Sequence, residues 1–333
     1  MANETEISLA ISSPRSPQFI SSHLPLLLIA GPTAVGKSAV ALHLAQKLGG
    51  EIISVDSMQV YRGLDIGTAK PSAAELARVP HHLIDVVGIT ETFNAAHFVR
   101  LAQAAVSDIQ ARGRLPILCG GTGLYFKAFL EGLGDAPPSD AHLRSELEAI
   151  PLPDLLRELA QRDPITYERI DRQNPRRIVR ALEVIRLTGK TFSTQRANWT
   201  GVSRVATSAC LIGLSRSSSE LSRRIEARVE QMFRSGLVAE TEALLSCGLA
   251  ENKTAMQALG YRQAVEHLRG QRSLPETIQL VKIRTRQFAK RQLTWFRRQL
   301  RLSWIDIKVE DASSIGHRIE HEFSGKLAKS GGE

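Results

Sequence analysis

Short apolar runs and amphipathic segments alternate through the first third of the chain. Leu26–Ala30 has the composition of a short buried strand, and a helix is predicted from Lys37 to about Leu48. Further strands are predicted at 51–56, 81–86 and 115–119, and helices at 94–112 and from 120–122 through 130. Strands that alternate with helices in this way predict a parallel sheet with crossover helices.

The alternation ends at residues 132–138, which are rich in Gly, Asp and Pro. From 139 to 199 the pattern is helical and charged, with N-cap candidates at Ser139 and Asp163. A further buried strand is predicted at 208–214 and a long helix at 217–234. The sheet is therefore expected to resume after a helical insertion.

More helices are predicted to about Arg301, and one of them has a regular apolar stripe. Val281, Phe288 and Trp295 lie seven residues apart, with Ala289, Phe296 and Leu300 beside them. This spacing predicts a stripe that faces the core, with the neighbouring basic residues on the outer face of the helix.

The turn between the first strand and the first helix has the spacing G-x-x-x-x-G-K-S. Its residues are Gly31, Pro32, Thr33, Ala34, Val35, Gly36, Lys37 and Ser38. In such a loop successive backbone N–H groups point at an anion, Lys37 reaches its distal phosphate, and the Ser38 hydroxyl is suited to ligate a Mg²⁺ ion bound to the phosphates. The flanking strand and helix favour a phosphate-binding P-loop over an ordinary strand–turn–helix, but leave the polyphosphate unidentified.

The sequence therefore predicts an α/β fold, in which a P-loop parallel sheet flanked by helices carries an all-helical insertion domain. The predicted segments are a disordered tail (1–23), the first part of the core (24–135), the insertion (136–200), the second part of the core with C-terminal helices (201–305) and a polar tail (306–333). Ligands of such sheets bind at the carboxyl ends of the strands. The P-loop, Asp56 and residues 120–122 are thus expected along one rim.

Composition and charge narrow the class of protein. The chain has 333 residues, 43% of them hydrophobic, and its longest apolar run, 24–30, is too short to cross a bilayer. We expect a cytoplasmic protein, with a monomer as the default state. The net charge is +9, and positive charge is concentrated at 172–204, where Glu183 is the single acid, and at 282–301, which has none. On a phosphate-binding chain, two such clusters favour nucleic acid as a partner over solvated helix faces.

Four more residues have chemistry that suits a phosphate site. Asp56 ends the second strand and is either a general base, a residue that supports the magnesium ion or a solvated carboxylate. Thr122 is either a plain N-cap or presents its hydroxyl to the pocket. Arg224 and Arg228, one helical turn apart, either close over phosphate or form salt bridges with neighbouring glutamates.

Several sequence blocks occur together in a pattern known from one family. They are residues 31–38, 56–71, 81–85, 120–127, 176–184 with 188–190, 260–263 and 286–295. Together they resemble the bacterial tRNA dimethylallyltransferases, also called tRNA isopentenyltransferases, over about residues 24–305. The block D-S-x-x-V-Y-R-G-x-D-I-G-T-A-K is the most specific of them.

The resemblance implies transfer of a dimethylallyl group from dimethylallyl diphosphate to N6 of the adenine directly 3′ of the anticodon, in tRNAs that read codons beginning with U. It implies catalytic roles for Thr33, Lys37, Asp56 and Arg224, with Mg²⁺ at Ser38. The residues implied to contact tRNA are Asp56, Ser57, Met58, Gln59, Thr122, Arg144, Arg176, Arg177, Ile178, Val179 and Arg180.

Two other functions share parts of this pattern. A P-loop small-molecule or nucleotide kinase would use the same loop with an arginine-rich helical lid, but would not need the second basic cluster. An RNA-binding NTPase would need the basic surface but no base beside the loop. Turnover of an allyl diphosphate without ATP distinguishes the prenyltransferase from both.

Overall fold

Six strands form one parallel sheet in the computed structural model, which describes residues 26–195, 209–308 and 312–330. They are β1 (Leu26–Ala30), β2 (Gly50–Val55), β3 (His81–His82), β4 (Leu115–Gly120), β5 (Ala209–Ser215) and β6 (Ser303–Asp306). Their order in the sheet is β3-β2-β4-β1-β5-β6. The predicted α/β fold with a parallel sheet is confirmed. The predicted disordered tail, 1–23, and the end of the predicted insertion, 196–200, lie outside the described residues.

Helices cover both faces of the sheet and also form a separate group in the middle of the chain. In order they are α1 (Lys37–Leu48), α2 (Ala73–Arg78), α3 (Ala95–Ala111), α4 (Gly123–Glu131), α5 (Ala141–Ala149), α6 (Leu152–Arg162), α7 (Pro164–Arg169), α8 (Pro175–Thr188), α9 (Phe192–Gln195), α10 (Ser218–Arg234), α11 (Leu237–Ser246), α12 (Tyr261–Leu268), α13 (Leu274–Gln299) and α14 (Ala312–Ser330). The strands and helices predicted before residue 132, with the exception of the strand at 81–86, match this order closely.

The apolar residues of the sheet pack into two layers, because every residue of β1 and β4 is buried between helices. One layer contains Phe98, Phe126 and Tyr261. The other joins α1 to the C-terminal helices. The helices between 141 and 195 have a small core of their own, built around Leu159 and Leu182. Asp163 caps α7 as predicted, whereas α5 is capped by Asp140 and not by Ser139.

The strand predicted at 81–86 is much shorter than expected. Only His81 and His82 pair with β2, because Leu83 and Asp85 have positive φ angles of 62° and 56° and turn the chain away from the sheet. The following apolar residues pair elsewhere, since the Val87 N–H donates to the carbonyl oxygen of Val60 at 3.0 Å. The apolar residues that predicted a longer strand at 81–86 are therefore followed by a pairing with residue 60, outside β3.

The C-terminal segment also differs from its prediction. Residues 306–333 were predicted to be a polar tail, but the described part forms the end of β6 and α14. Ile315, Ile319 and Phe323 are buried against the sheet layer that contains α1, and the Lys47 ammonium pairs with Glu320 at 2.5 Å. The three buried apolar residues lie four positions apart, which is the spacing of a helix and is visible in the sequence.

The predicted stripe on α13 is wrong at Phe288, which is 37% exposed. The buried face instead runs through Val281, Thr285, Ala289, Gln292 and Phe296. Thr285 and Gln292 are polar members of this face. A search for apolar residues alone therefore does not detect its helical period.

Candidate active site

The P-loop joins β1 to α1 and turns sharply. At Gly31 a Cβ atom would lie 2.6 Å from the carbonyl oxygen of Leu214, so no side chain fits there. Ala34 and Gly36 have φ angles of 63° and 112°, in the region that favours glycine. The Val35 carbonyl oxygen accepts a hydrogen bond from Arg216 Nε at 2.9 Å, so the N–H of the same peptide, on Gly36, points the opposite way. This geometry suits anion binding.

Lys37 begins α1, and its side chain folds back over the loop. Its Nζ donates to the carbonyl oxygen of Pro32 at 2.8 Å. Burial lowers the pKa of Lys37 to about 8, and the charge of Arg228 acts in the same direction. A cation held among buried groups in this way gains a partner when an anion binds. Ser38, next along the helix, is exposed.

The two candidate arginines of α10 have different positions. Arg224 is exposed, and its Nε donates to the carbonyl oxygen of Ala34 at 2.8 Å, on the carbonyl side of the loop. Arg228 is half-buried and lies within electrostatic reach of Lys37 and Asp56. Burial lowers its pKa, while the charge of Asp56 opposes that shift. The geometry therefore favours Arg228, which the sequence also offered, over Arg224 as the guanidinium beside the phosphate pocket.

Asp56 directly follows β2, at the predicted rim. Its Oδ1 accepts the backbone N–H of Met58 at 2.8 Å and that of Gln59 at 3.3 Å. Within the described residues, no hydrogen bond is made to Oδ2. One oxygen thus fixes the carboxylate, and the other is left for a ligand.

Thr122 holds the turn after Asp56 against the end of β4. Its hydroxyl oxygen accepts the Ser57 N–H at 3.1 Å, and its own N–H donates to the carbonyl oxygen of Val55 at 3.1 Å. It occupies the N-cap position of α4 without making a side-chain cap. The hydroxyl therefore connects two strand ends, which is neither of the simple roles that the sequence offered.

The specific block around residues 56–71 is held by the C-terminal half of the chain. Gln59 donates to the carbonyl oxygens of Thr68 and Ala69, both at 3.2 Å. The Tyr261 hydroxyl accepts the Gly67 N–H at 3.0 Å and donates to Glu240 at 2.5 Å. The loop around Gly67 is thus held in place by Tyr261, almost 200 residues further along the chain. No local sequence pattern indicates this contact.

The arginines of the predicted insertion fall into two groups. Arg144 and Arg180 donate to the same oxygen of Glu183, at 2.8 and 2.7 Å, and this glutamate is fully buried. Burial by itself would raise the pKa of Glu183, but hydrogen bonds from Arg180 and Ser139 and the charge of Arg144 hold it below its ordinary value. Two of the predicted tRNA-binding arginines therefore neutralise an internal acid.

Arg176 and Arg177 are exposed at the start of α8, as a role in binding a polyanion requires. Ile178 and Val179 follow them but are buried in the small helical core. Direct tRNA contact by these two side chains is not compatible with their burial. That part of the prediction is corrected, and the roles of Arg176 and Arg177 stay predictions.

The second basic cluster is also divided. Lys282 and Arg286 pair with Glu230 and Glu226 of α10. Further along α13, an open groove of about 510 Å³ is lined by Gln287, Lys290, Arg291, Thr294, Trp295, Arg298 and Gln299. The Trp295 ring packs against Gly123, one residue from Thr122. This basic and aromatic groove therefore begins next to the rim.

The residues at the P-loop fit a magnesium ion that takes most of its ligands from a bound phosphate. Among the described residues no group of three or more His, Cys, Asp or Glu side chains is arranged to bind a metal. Mg²⁺ is commonly held by one or two protein oxygens plus substrate phosphates, and the exposed Ser38 hydroxyl at the P-loop fits that role. Within the same ranges no helix has the length and apolarity needed to cross a membrane.

The fold and the rim together define a P-loop α/β protein with a carboxylate opposite the phosphate loop. The IPP transferase family model matches residues 59–299, and the chain belongs to that family. It is 44% identical over 301 residues to tRNA dimethylallyltransferase 2 of Geotalea uraniireducens, covering 89% of this chain and 97% of the relative. It is 47% identical over 289 residues to the tRNA dimethylallyltransferase of Geobacter metallireducens, covering 84% and 92%.

Solved structures show the same relationship. The tRNA isopentenylpyrophosphate transferase of Bacillus halodurans has a TM-score of 0.67 and 40% identity, covering 92% of this chain and 97% of that one. A eukaryotic dimethylallyltransferase acting on tRNA has a TM-score of 0.76 and 27% identity, covering 91% and 80%. These findings confirm the predicted family and do not support the kinase alternative.

Proposed function

We propose that the protein transfers a dimethylallyl group from dimethylallyl diphosphate to N6 of the adenine directly 3′ of the anticodon, in tRNAs that read codons beginning with U. Family membership supports a tRNA dimethylallyltransferase. The structural observation that carries the proposal is the rim itself, where Asp56, held by backbone amides, stands within electrostatic reach of Lys37 and Arg228. A base and an anion site on one rim are what this reaction requires.

The chemistry assigns a separate task to each side of the rim. The exocyclic amine of adenine is a weak nucleophile, and Asp56 takes the N6 proton as the bond from N6 to the allylic carbon forms. The bond from that carbon to oxygen breaks, and the electron pair leaves with diphosphate. Lys37, Arg228 and the N–H groups of the P-loop stabilise the charge that develops there.

Mg²⁺ is part of the proposal, with Ser38 as its protein ligand. When bound, it neutralises charge on the leaving diphosphate. Ser38 and Lys37 begin the same helix, so its positive N-terminal end adds to the attraction for the anion.

Two exposed basic surfaces suit the tRNA. One contains Arg176 and Arg177, and the other is the groove on α13 with Lys290, Arg291 and Trp295. Arginines and lysines neutralise phosphates, and an aromatic ring offers a stacking surface to a base that has left its stack. We place the reaction in the cytoplasm, where the tRNA substrate is used, and propose that a single chain contains the whole site.

The test uses the purified full-length protein, tRNA, labelled dimethylallyl diphosphate and Mg²⁺, with no nucleotide added. Label is counted in the tRNA and located by nucleoside analysis. We expect incorporation into adenosine next to the anticodon, and none into tRNA that lacks this adenine. Incorporation only when ATP is supplied would overturn the proposal and restore the NTPase alternative.

A further inference from the structure

One buried polar side chain lies between the two halves of the rim and has no part in the reaction described above. Gln292 of α13 is 9% exposed and lies on the buried face of the helix. Its side-chain oxygen accepts the Thr33 N–H at 2.9 Å, and its side-chain nitrogen donates to the carbonyl oxygen of Gly121 at 2.9 Å. Each end of the amide therefore bonds a different functional segment.

The space around Gly121 is shaped for this contact. A Cβ atom at position 121 would lie 2.4 Å from Nε2 of Gln292, closer than any real side chain is found. Glycine at this position therefore lets the amide approach the backbone. Hydrogen bonding and shape point to the same arrangement, although the two residues are 171 positions apart.

The contact belongs to a continuous series across the rim. Thr33 lies in the P-loop, and Gln292 joins it to Gly121. The next residue, Thr122, accepts the Ser57 N–H beside Asp56. Gln292 thus sets the separation between the loop that binds diphosphate and the turn that carries the base.

We infer that Gln292 is a positioning residue for the transfer reaction, acting through the P-loop at Thr33 and through the turn at Gly121. The inference rests on the proposed function, since it concerns the alignment of the two reactants. A shift of about 1 Å between reacting groups lowers a rate by about 10²-fold. Loss of the contact should therefore reduce kcat more than it reduces binding of either substrate.

The first variant is Gln292→Met, which keeps the length of the side chain and removes both hydrogen bonds. We expect kcat to fall about 10- to 100-fold, with the KM for tRNA within about threefold of wild type. An unchanged kcat, or a change confined to the KM for tRNA, would overturn the inference.

The matched control is Thr277→Val on the same helix. Thr277 is fully buried and donates to the carbonyl oxygen of Ser273 at 2.9 Å, about 22 Å along the helix from Gln292. The Thr277→Val variant loses a partly buried hydrogen bond far from the rim, so its melting temperature falls while its kcat stays at the wild-type value. If Thr277→Val slows turnover as much as Gln292→Met, the effect is one of general stability and the inference fails.

The decisive experiment is a double-mutant cycle with Gly121→Ala, which breaks the same contact from the other side. If both variants act through one contact, the double variant is about as slow as the slower single variant. Rate losses that multiply would show independent effects and overturn the inference. Wild-type turnover is measured first, so a wild-type protein that transfers nothing refutes the proposed function, whereas a normal wild type with a multiplicative cycle refutes only the role of Gln292.

Discussion

The rim of the sheet and the helical insertion both present charged residues in a motif, but the two regions use them differently. At the rim, Asp56 and Thr122 are held by backbone groups, and Lys37 and Arg228 lie within electrostatic reach of the base. In the insertion, Arg144 and Arg180 are bound to the buried Glu183. A charge that is fixed by the backbone is available to a ligand, whereas one paired with a buried acid is already satisfied.

This difference between the rim and the insertion shows that the number of charges in a sequence segment does not by itself identify a binding surface. Residues 172–204 are strongly basic in sequence, yet their one acid is fully buried and engages Arg180. Removing one partner of a buried pair is costly, because the other charge is left without compensation. Among the described basic residues of this segment, Arg180 is therefore a weaker candidate for phosphate contact than the exposed arginines at the start of α8.

The largest effect is expected at the rim. Asp56→Asn keeps an acceptor for the Met58 N–H but cannot take a proton, so kcat should fall about 10²- to 10⁴-fold. Single-turnover rates and tRNA binding are measured side by side, and binding should be nearly unchanged. Turnover close to wild type would remove Asp56 from the mechanism.

The second effect concerns stability in the insertion. Glu183→Gln removes the charge shared by Arg144 and Arg180, and we expect the free energy of unfolding to fall by about 3 kcal/mol, at the lower end for a buried pair because both arginines are partly exposed. Denaturant unfolding measures it. Glu158→Gln, which weakens the partly exposed pairs of this acid with Arg186 and Arg162, is the control and should cost less, about 1 kcal/mol. Equal losses would mean that Glu183 is no more important than a surface acid.

The third effect separates the two arginines of α10. Arg228→Gln should weaken binding of dimethylallyl diphosphate about 10- to 100-fold, the usual range for losing a hydrogen bond to a charged group. Arg224→Gln removes a hydrogen bond to the outer carbonyl of the loop and should weaken it less than about fivefold. Titration calorimetry with the diphosphate compares them, and a larger loss for Arg224 would reverse the assignment made from the structure.

These positions also show how far the sequence determines the site. The P-loop, Asp56 and Thr122 were predictable because each is adjacent to a strand with a clear apolar pattern and because strand ends of a parallel sheet meet at one rim. The resemblance implied Arg224 as the catalytic arginine, whereas the structure favours Arg228. The sequence could not show this, since it depends on how α10 is rotated against the loop.

Two parts of the fold were not predicted from the sequence, and in both cases the cause is structure that a local pattern does not record. The strand at 81–86 is interrupted by backbone angles at Leu83 and Asp85, which no apolar pattern records. The buried face of α13 contains Gln292, a polar residue satisfied only by contacts from distant segments. Such tertiary hydrogen bonds determine burial, but a local pattern shows only the residue type. By contrast, the helix at 312–330 has a readable spacing and was predictable in principle.

The smallest effect is expected on the surface of the insertion. Arg176 and Arg177 are exposed, and if both contact phosphates, the double variant to Gln should lower the slope of log affinity for tRNA against log salt by about two units. Arg157→Gln is the control, because this exposed arginine is already paired with Asp154 at 2.9 Å and should leave the slope unchanged. Affinity for dimethylallyl diphosphate should be the same in all three proteins, since these residues lie outside the rim.

The slope is measured by filter binding between about 50 and 200 mM salt, the interval over which phosphate contacts change affinity most clearly. A double variant with the wild-type slope would show that Arg176 and Arg177 make no phosphate contact, and the groove on α13 would then be the stronger candidate for the surface that binds the tRNA backbone.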